Sequence, residues 1–92
     1  KRFLIDDVIE KPSSRLAPSN YAVIGRYILP SKIFKALKNQ KIGKGNEIHI
    51  TDAIRNLIKN KNKFIGHVFK GKYLDCGTMK GYINSFLEAS KL

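Results

Sequence analysis

Three short stretches combine side chains that could bind a phosphorylated sugar or a metal ion. Glu10-Lys11-Pro12 sets a carboxylate beside an ammonium, just ahead of a stiff residue. A carboxylate accepts hydrogen bonds from two neighbouring hydroxyls, which suits Glu10 to a sugar, and the compact charge of Lys11 suits a phosphate. In Ser19–Leu29, Gly25 follows Val23 in an apolar run and removes a side chain where backbone or ligand could approach closely. In Tyr73-Leu74-Asp75-Cys76-Gly77, an aspartate beside a glycine at a strand end could project into a cleft and hold Mg²⁺ through oxygen. Taken singly, each stretch also has a plain structural counterpart. Glu10-Lys11 fits a solvated surface pair, Gly25 fits packing against a neighbouring strand, and Asp75 fits an exposed turn or the positive end of the helix after it.

The elements that must position these residues follow from the apolar spacing. Arg2–Ile9 reads as a strand interrupted by Asp6-Asp7, and Lys11–Ser19, with Pro12 and Pro18, as a loop. Tyr21, Val23, Ile24, Tyr27 and Ile28 make Asn20–Leu29 a dense β-branched and aromatic run, as in a strand covered on both faces, and Pro30 ends it. Ser31 is a candidate N-cap for a short helix with Ile33, Phe34 and Leu37 inward. Asn39–Asn46 reads as an exposed loop and Glu47–Ile50 as a short extended piece. Thr51 is a candidate cap for a helix that carries Asp52 at its positive end and buries Ala53, Ile54, Leu57 and Ile58. Phe64–Phe69 reads as a strand. Thr78 caps a last helix with Met79, Tyr82, Ile83, Phe86 and Leu87 at helical spacing. Strands and helices alternate, which places the chain in the α/β or α+β class.

Composition narrows the function classes. The chain has 92 residues, and one this short buries only about 60–65% of its unfolded surface, so its core is modest for an enzyme. The single Cys76 excludes an internal disulfide, and two histidines with one cysteine cannot build a structural zinc site. No apolar run approaches the ~20 residues of a membrane span, and no signal-peptide pattern is present, so a reducing cytosolic setting is the expectation. The first residue is Lys1 and the only methionine is Met79, so the expectation is that translation began upstream. A net charge of +11 raises nucleic acid as a partner, but the lysines are spread along the chain and read as solvated faces.

The three stretches gain meaning from their order. Glu10-Lys11-Pro12, then Ala17-Pro18-Ser19-Asn20-Tyr21-Ala22-Val23-Ile24-Gly25-Arg26-Tyr27-Ile28-Leu29, then Glu47-Ile48-His49-Ile50-Thr51-Asp52-Ala53, then Asp75-Cys76-Gly77 together resemble the bacterial UTP–glucose-1-phosphate uridylyltransferases over essentially the whole chain. The related thymidylyltransferases share the first, part of the second and the last. Gly25–Leu29 and Ile50–Ala53 tilt the resemblance to the uridylyl branch. His49 departs from it, since the family more often has glutamine there, and reads as peripheral.

The resemblance implies that residues 1–92 are the C-terminal segment of a Rossmann-like mixed-sheet α/β nucleotidyltransferase fold, incomplete without its N-terminal half. It implies a parent enzyme that transfers a uridylyl group from UTP to glucose 1-phosphate, with Mg²⁺ as cofactor. Glu10 would bind glucose hydroxyls, Lys11 the phosphate, Val23 would line the sugar pocket, Gly25 would keep its floor open, and Asp75 would be one of two aspartates on the metal. The other aspartate and the Gly-x-Gly-Thr-Arg phosphate loop are missing, and Gly43-Lys44-Gly45 is no substitute, because it follows a helix and lacks the Thr-Arg. The segment alone is therefore expected to be inactive, and the full-length protein to be a cytoplasmic homo-oligomer that binds neither nucleic acid nor membrane. The competing reading is a small basic nucleic-acid-binding module. Against it, there is no RNP-type aromatic strand, zinc-finger spacing or Gly-x-x-Gly clamp, and Tyr21, Tyr27, Phe64 and Phe69 lie in apolar strands, where core packing is expected.

Overall fold

A computed structural model describes residues 1–92. Strand β1 (Arg2–Leu4) is followed by a long irregular stretch, then α1 (Lys32–Lys38), a 3₁₀ turn at Lys44–Asn46, α2 (Ile50–Lys59), β2 (Ile65–His67) and α3 (Met79–Ala89). This is a small α/β piece. Its sheet has two antiparallel strands, with Arg2 opposite His67, Phe3 opposite Gly66 and Leu4 opposite Ile65. Two bonds extend the ladder: Ile5 N–H donates to Phe64 O at 2.9 Å, and Val68 N–H donates to Lys1 O at 2.8 Å. The mixed sheet implied by the resemblance is not formed by these residues.

The core lies where α2 meets α1 and the chain leaving β1. Ala53, Ile54 and Leu57 occupy one face of α2, as the apolar spacing requires, and bury against Ile33 of α1 and Val8. Ile5, Leu29, Leu37 and Phe64 close the rim. At its far end, α2 stops where Lys61 enters the left-handed region at φ 67°, and both the backbone N–H and the side-chain amide of Asn62 donate to Leu57 O. Arg55 on α2 grips Asp7 with Nε to Oδ1 at 2.9 Å and Nη2 to Oδ2 at 3.2 Å. Both side chains of this pair are more than a third exposed, so its main effect is to fix the path after β1 rather than to add stability.

Several expected elements differ. Asn20–Leu29 forms no strand, and Tyr21, Val23, Tyr27 and Ile28 are exposed. Its sequence is that of a buried strand, but these residues supply no neighbouring strand to pair with it. Phe34, expected inward, is 74% exposed; with α1 only two turns long, Ile33, Ala36 and Leu37 are the side chains that pack on the core. Ser31 precedes α1 in helical geometry without a side-chain cap. His49, in extended geometry, takes the N-cap position of α2, so Thr51 lies inside the helix and Glu47–Ile50 is extended only up to His49. The strands at both ends of the sheet are shorter than the apolar runs that encode them. Core packing holds for Phe64, which lies on the rim, whereas Tyr21, Tyr27 and Phe69 are exposed, and Tyr21 sits 5.1 Å from the Phe3 ring.

Helix α3 is the largest departure. Thr78 caps it as expected, its Oγ1 accepting from Gly81 N–H at 3.0 Å. Yet Met79, Tyr82, Ile83, Phe86 and Leu87 are all exposed, and α3 packs against no other helix or strand. Its only buried residue is Ser85.

Candidate functional site

Glu10 and Lys11 sit on the turn that ends the segment after β1. Lys11 has φ 42°, in the left-handed region that residues with a Cβ seldom occupy. Two contacts from one loop hold the turn. The Lys44 ammonium donates to Lys11 O, and the His49 ring faces Glu10, with Nδ1 3.8 Å from Oε1. His49 Nε2 also bonds Lys44 O at 2.6 Å. The Glu10 carboxylate is half-buried in this arrangement, while Lys11 stays exposed.

Val23 and Gly25 lie on the extended stretch above the core. Val23 lines a cavity of about 150 Å³ together with Ile5, Val8, Tyr27 and His67. A side-chain carbon added at Gly25 would meet nothing within 4 Å, so the space over this backbone is open.

Asp75 is at the other end of the chain's order, just before α3. Its Oδ1 accepts from Gly77 N–H at 2.9 Å, a local turn bond that fixes the carboxylate and leaves Oδ2 without a protein donor. Its carbonyl accepts from the buried Ser85 hydroxyl at 3.3 Å. A groove of about 410 Å³ opens beside it, lined by Lys72, Tyr73, Asn84 and Glu88 among others. Hydrogen bonds from Lys72 and then Lys91, with the charge of Lys72 adding to them, hold the Glu88 carboxyl below the usual carboxylate range.

Gly81 is what lets the Asp75 backbone reach α3. An added Cβ there would collide with the Asp75 carbonyl oxygen and crowd Thr78 Oγ1 at 3.0 Å. Helix propensity favours alanine over glycine by about 1 kcal/mol, but the obstacle is backbone and cannot rotate away. Gly81→Ala is therefore expected to destabilise by about 1–2 kcal/mol, where propensity alone would stabilise. Thermal unfolding read by circular dichroism decides the sign.

The structure thus gathers Glu10 and Lys11 on one braced turn, places Val23 over a cavity beside the core, and sets Asp75 on a separate support against α3. Sequence reasoning misses Lys44 and His49. Lys44 enters it only as part of a phosphate-loop mimic, and His49 reads as peripheral. The available signal is weak: an imidazole at a helix start and a lysine between two glycines.

Known proteins match the chain along almost its whole length. The family model described as Nucleotidyl transferase matches residues 1–91. A UTP–glucose-1-phosphate uridylyltransferase of Pseudomonas aeruginosa is 47% identical over 81 residues, which covers 88% of this chain and 29% of that protein. The protein of the same name from Bacillus subtilis (strain 168) is 40% identical over 88 residues, covering 96% of this chain and 30% of its own. A solved structure of UDP-glucose pyrophosphorylase complexed with UDP-glucose superposes with a TM-score of 0.90 at 49% identity, over 98% of this chain and 34% of that one. The chain therefore spans about a third or less of the relatives it matches. With residues 1–91 matched by the family model, the chain belongs to the nucleotidyl transferase family.

Proposed function

We propose that these 92 residues are the C-terminal, sugar-phosphate-binding segment of a UTP–glucose-1-phosphate uridylyltransferase. The observation that carries this reading is the Glu10-Lys11 turn, braced from the loop before α2, in a chain 47% identical to a protein of that name. In the reaction, a phosphate oxygen of glucose 1-phosphate attacks the α-phosphorus of UTP. The bond from that phosphorus to the oxygen bridging toward the β-phosphate breaks, giving UDP-glucose and pyrophosphate. Two polyanions must meet, so the barrier is largely electrostatic and positional. Glu10 accepts hydrogen bonds from two glucose hydroxyls, and the Lys11 ammonium holds the sugar phosphate. Val23 lines the sugar pocket, and the open space at Gly25 admits the ring.

The family implies Mg²⁺, and the residues present fit it in part. Asp75 offers one anionic oxygen free of protein donors, and no three His, Cys, Asp or Glu side chains gather anywhere in the chain. That suits an ion that takes one or two carboxylates together with phosphates and waters. When bound, Mg²⁺ would neutralise phosphate charge as the pentavalent transition state forms. The second carboxylate and the triphosphate-binding loop would come from the remainder of the protein. In the same reading, β1, β2 and the extended Asn20–Leu29 join a larger Rossmann-like mixed sheet in a cytoplasmic homo-oligomer. No helix here is long and apolar enough to cross a membrane.

The test is pyrophosphate release by the full-length protein with UTP, glucose 1-phosphate and Mg²⁺, beside the isolated 92-residue chain. The expected result is release by the full-length protein that needs both substrates, and none by the isolated chain. Synthesis of UDP-glucose by the isolated chain would sink the division of the site. A folded full-length protein that released no pyrophosphate with any nucleoside triphosphate would sink the activity itself.

A further inference from the structure

The Gly43–His49 loop has a chemical role that its sequence does not advertise. It starts from a tight turn, with Gly43 N–H donating to Glu47 O at 2.8 Å and Asn46 N–H donating to Gly43 O at 3.2 Å. A Cβ at Gly43 would lie 2.5 Å from Asp52 Oδ2 and 3.6 Å from the His49 ring, so glycine lets the loop press onto the start of α2. His49 is the N-cap residue of that helix, and α2 carries most of the buried core. One side chain thus ties the helix that carries most of the core to the loop and faces Glu10.

The hydrogen-bond chemistry has a direction. A backbone carbonyl only accepts, so the His49 Nε2 that faces Lys44 O carries a hydrogen. Nδ1 lies 3.8 Å from Glu10 Oε1, beyond hydrogen-bond reach but close enough for the ring to pack against the carboxylate. From the same loop, the Lys44 ammonium donates to Lys11 O, on the residue whose φ of 42° is unfavourable for lysine. The His49 and Glu10 side chains are only 14% and 22% exposed, so solvent competes weakly for their pairing.

We propose that His49 and Lys44 are positioning residues for the sugar-phosphate half of the site: His49 orients the Glu10 carboxylate and anchors Lys44, and Lys44 holds the Lys11 turn in its strained conformation. Neither touches the reacting atoms. The proposal rests on the reading above that Glu10 and Lys11 bind glucose 1-phosphate. Loosening the brace lets both groups sample geometries that do not match the ligand, which weakens glucose 1-phosphate binding and leaves UTP binding alone.

The experiment measures KM for glucose 1-phosphate and for UTP separately in the full-length protein and in its His49→Ala, His49→Gln, Lys44→Ala and Glu10→Ala forms. His49→Ala and Lys44→Ala are each expected to raise KM for glucose 1-phosphate about tenfold, as the loss of one hydrogen bond that holds the turn would, with KM for UTP unchanged. His49→Gln is expected to recover most of the loss, because one amide nitrogen carries two hydrogens and can serve both acceptors. An unchanged KM for glucose 1-phosphate in both alanine forms, equal rises for both substrates, or no recovery with glutamine overturns the proposal. Should His49→Ala fail to fold, Lys44→Ala, in an exposed turn, decides alone. Glu10→Ala separates the two levels. If it leaves glucose 1-phosphate KM unchanged, the sugar-binding reading fails, and the proposal with it. If it raises KM while the brace variants do not, the brace alone is wrong.

Discussion

Asp75→Asn in the full-length protein is expected to lower kcat about a hundred- to a thousandfold, with the fold intact. The separation of effects comes from the geometry. The asparagine amide keeps a side-chain oxygen that can accept from Gly77 N–H, and the Asp75 carbonyl that meets the Ser85 hydroxyl is backbone and does not change. What the substitution removes is the anionic Oδ2, the one oxygen no protein donor occupies. A metal held by fewer charges binds less tightly and screens the phosphates less well, and that contribution is worth several kcal/mol in a transition state. The check is pyrophosphate release over a Mg²⁺ titration, with circular dichroism of both proteins. A variant with unchanged kcat and unchanged Mg²⁺ dependence would remove Asp75 from the site.

Leu57→Ala is expected to give the largest loss of stability, about 2–5 kcal/mol. Leu57 is buried between α1 and the Val8 segment, in a cluster of only five buried residues including itself. Truncating its isobutyl group to a methyl leaves a cavity that so small a cluster cannot close from several sides. The bonds from the Asn62 backbone and side-chain amide to Leu57 O remain in place, so the loss reports side-chain packing rather than the helix stop. Urea unfolding at equilibrium checks it, with the midpoint expected to fall at constant slope. Because α2 supports the loop that braces Glu10 and Lys11, the same variant is expected to weaken glucose 1-phosphate binding more than UTP binding.

How much could be read beforehand follows from what local sequence encodes. The apolar face of α2 and the Thr78 cap of α3 are local patterns, and both formed as expected. Residue type singles out Glu10, Lys11 and Asp75 as candidates, and the family resemblance supplies the roles expected of them. Apolar spacing reports which surface a segment would bury, however, not whether its partner lies among these residues. Asn20–Leu29 and α3 both carry buried-type faces and both stand exposed, because no strand or helix of this chain covers them. At the start of α2, Thr51 is the better cap by type, yet His49 takes the position while engaged with Lys44 and Glu10. That engagement joins residues far apart in sequence, and no spacing rule finds it.

The seating of α3 on Asp75 has a thermodynamic consequence. The helix contacts the Asp75 backbone through the Ser85 hydroxyl and the bare Cα of Gly81, while its apolar side is free. An eleven-residue helix that packs on no other helix or strand gains little stability from tertiary contacts, so the support behind the carboxylate depends on what else covers it. Anything that covers the apolar side narrows the ensemble of α3, and with it the orientations open to Asp75. A ligand on Oδ2 then binds a carboxylate whose freedom has already been reduced, so it loses less entropy on binding. By linkage, ligand affinity at Asp75 and the docking of α3 strengthen each other by the same factor.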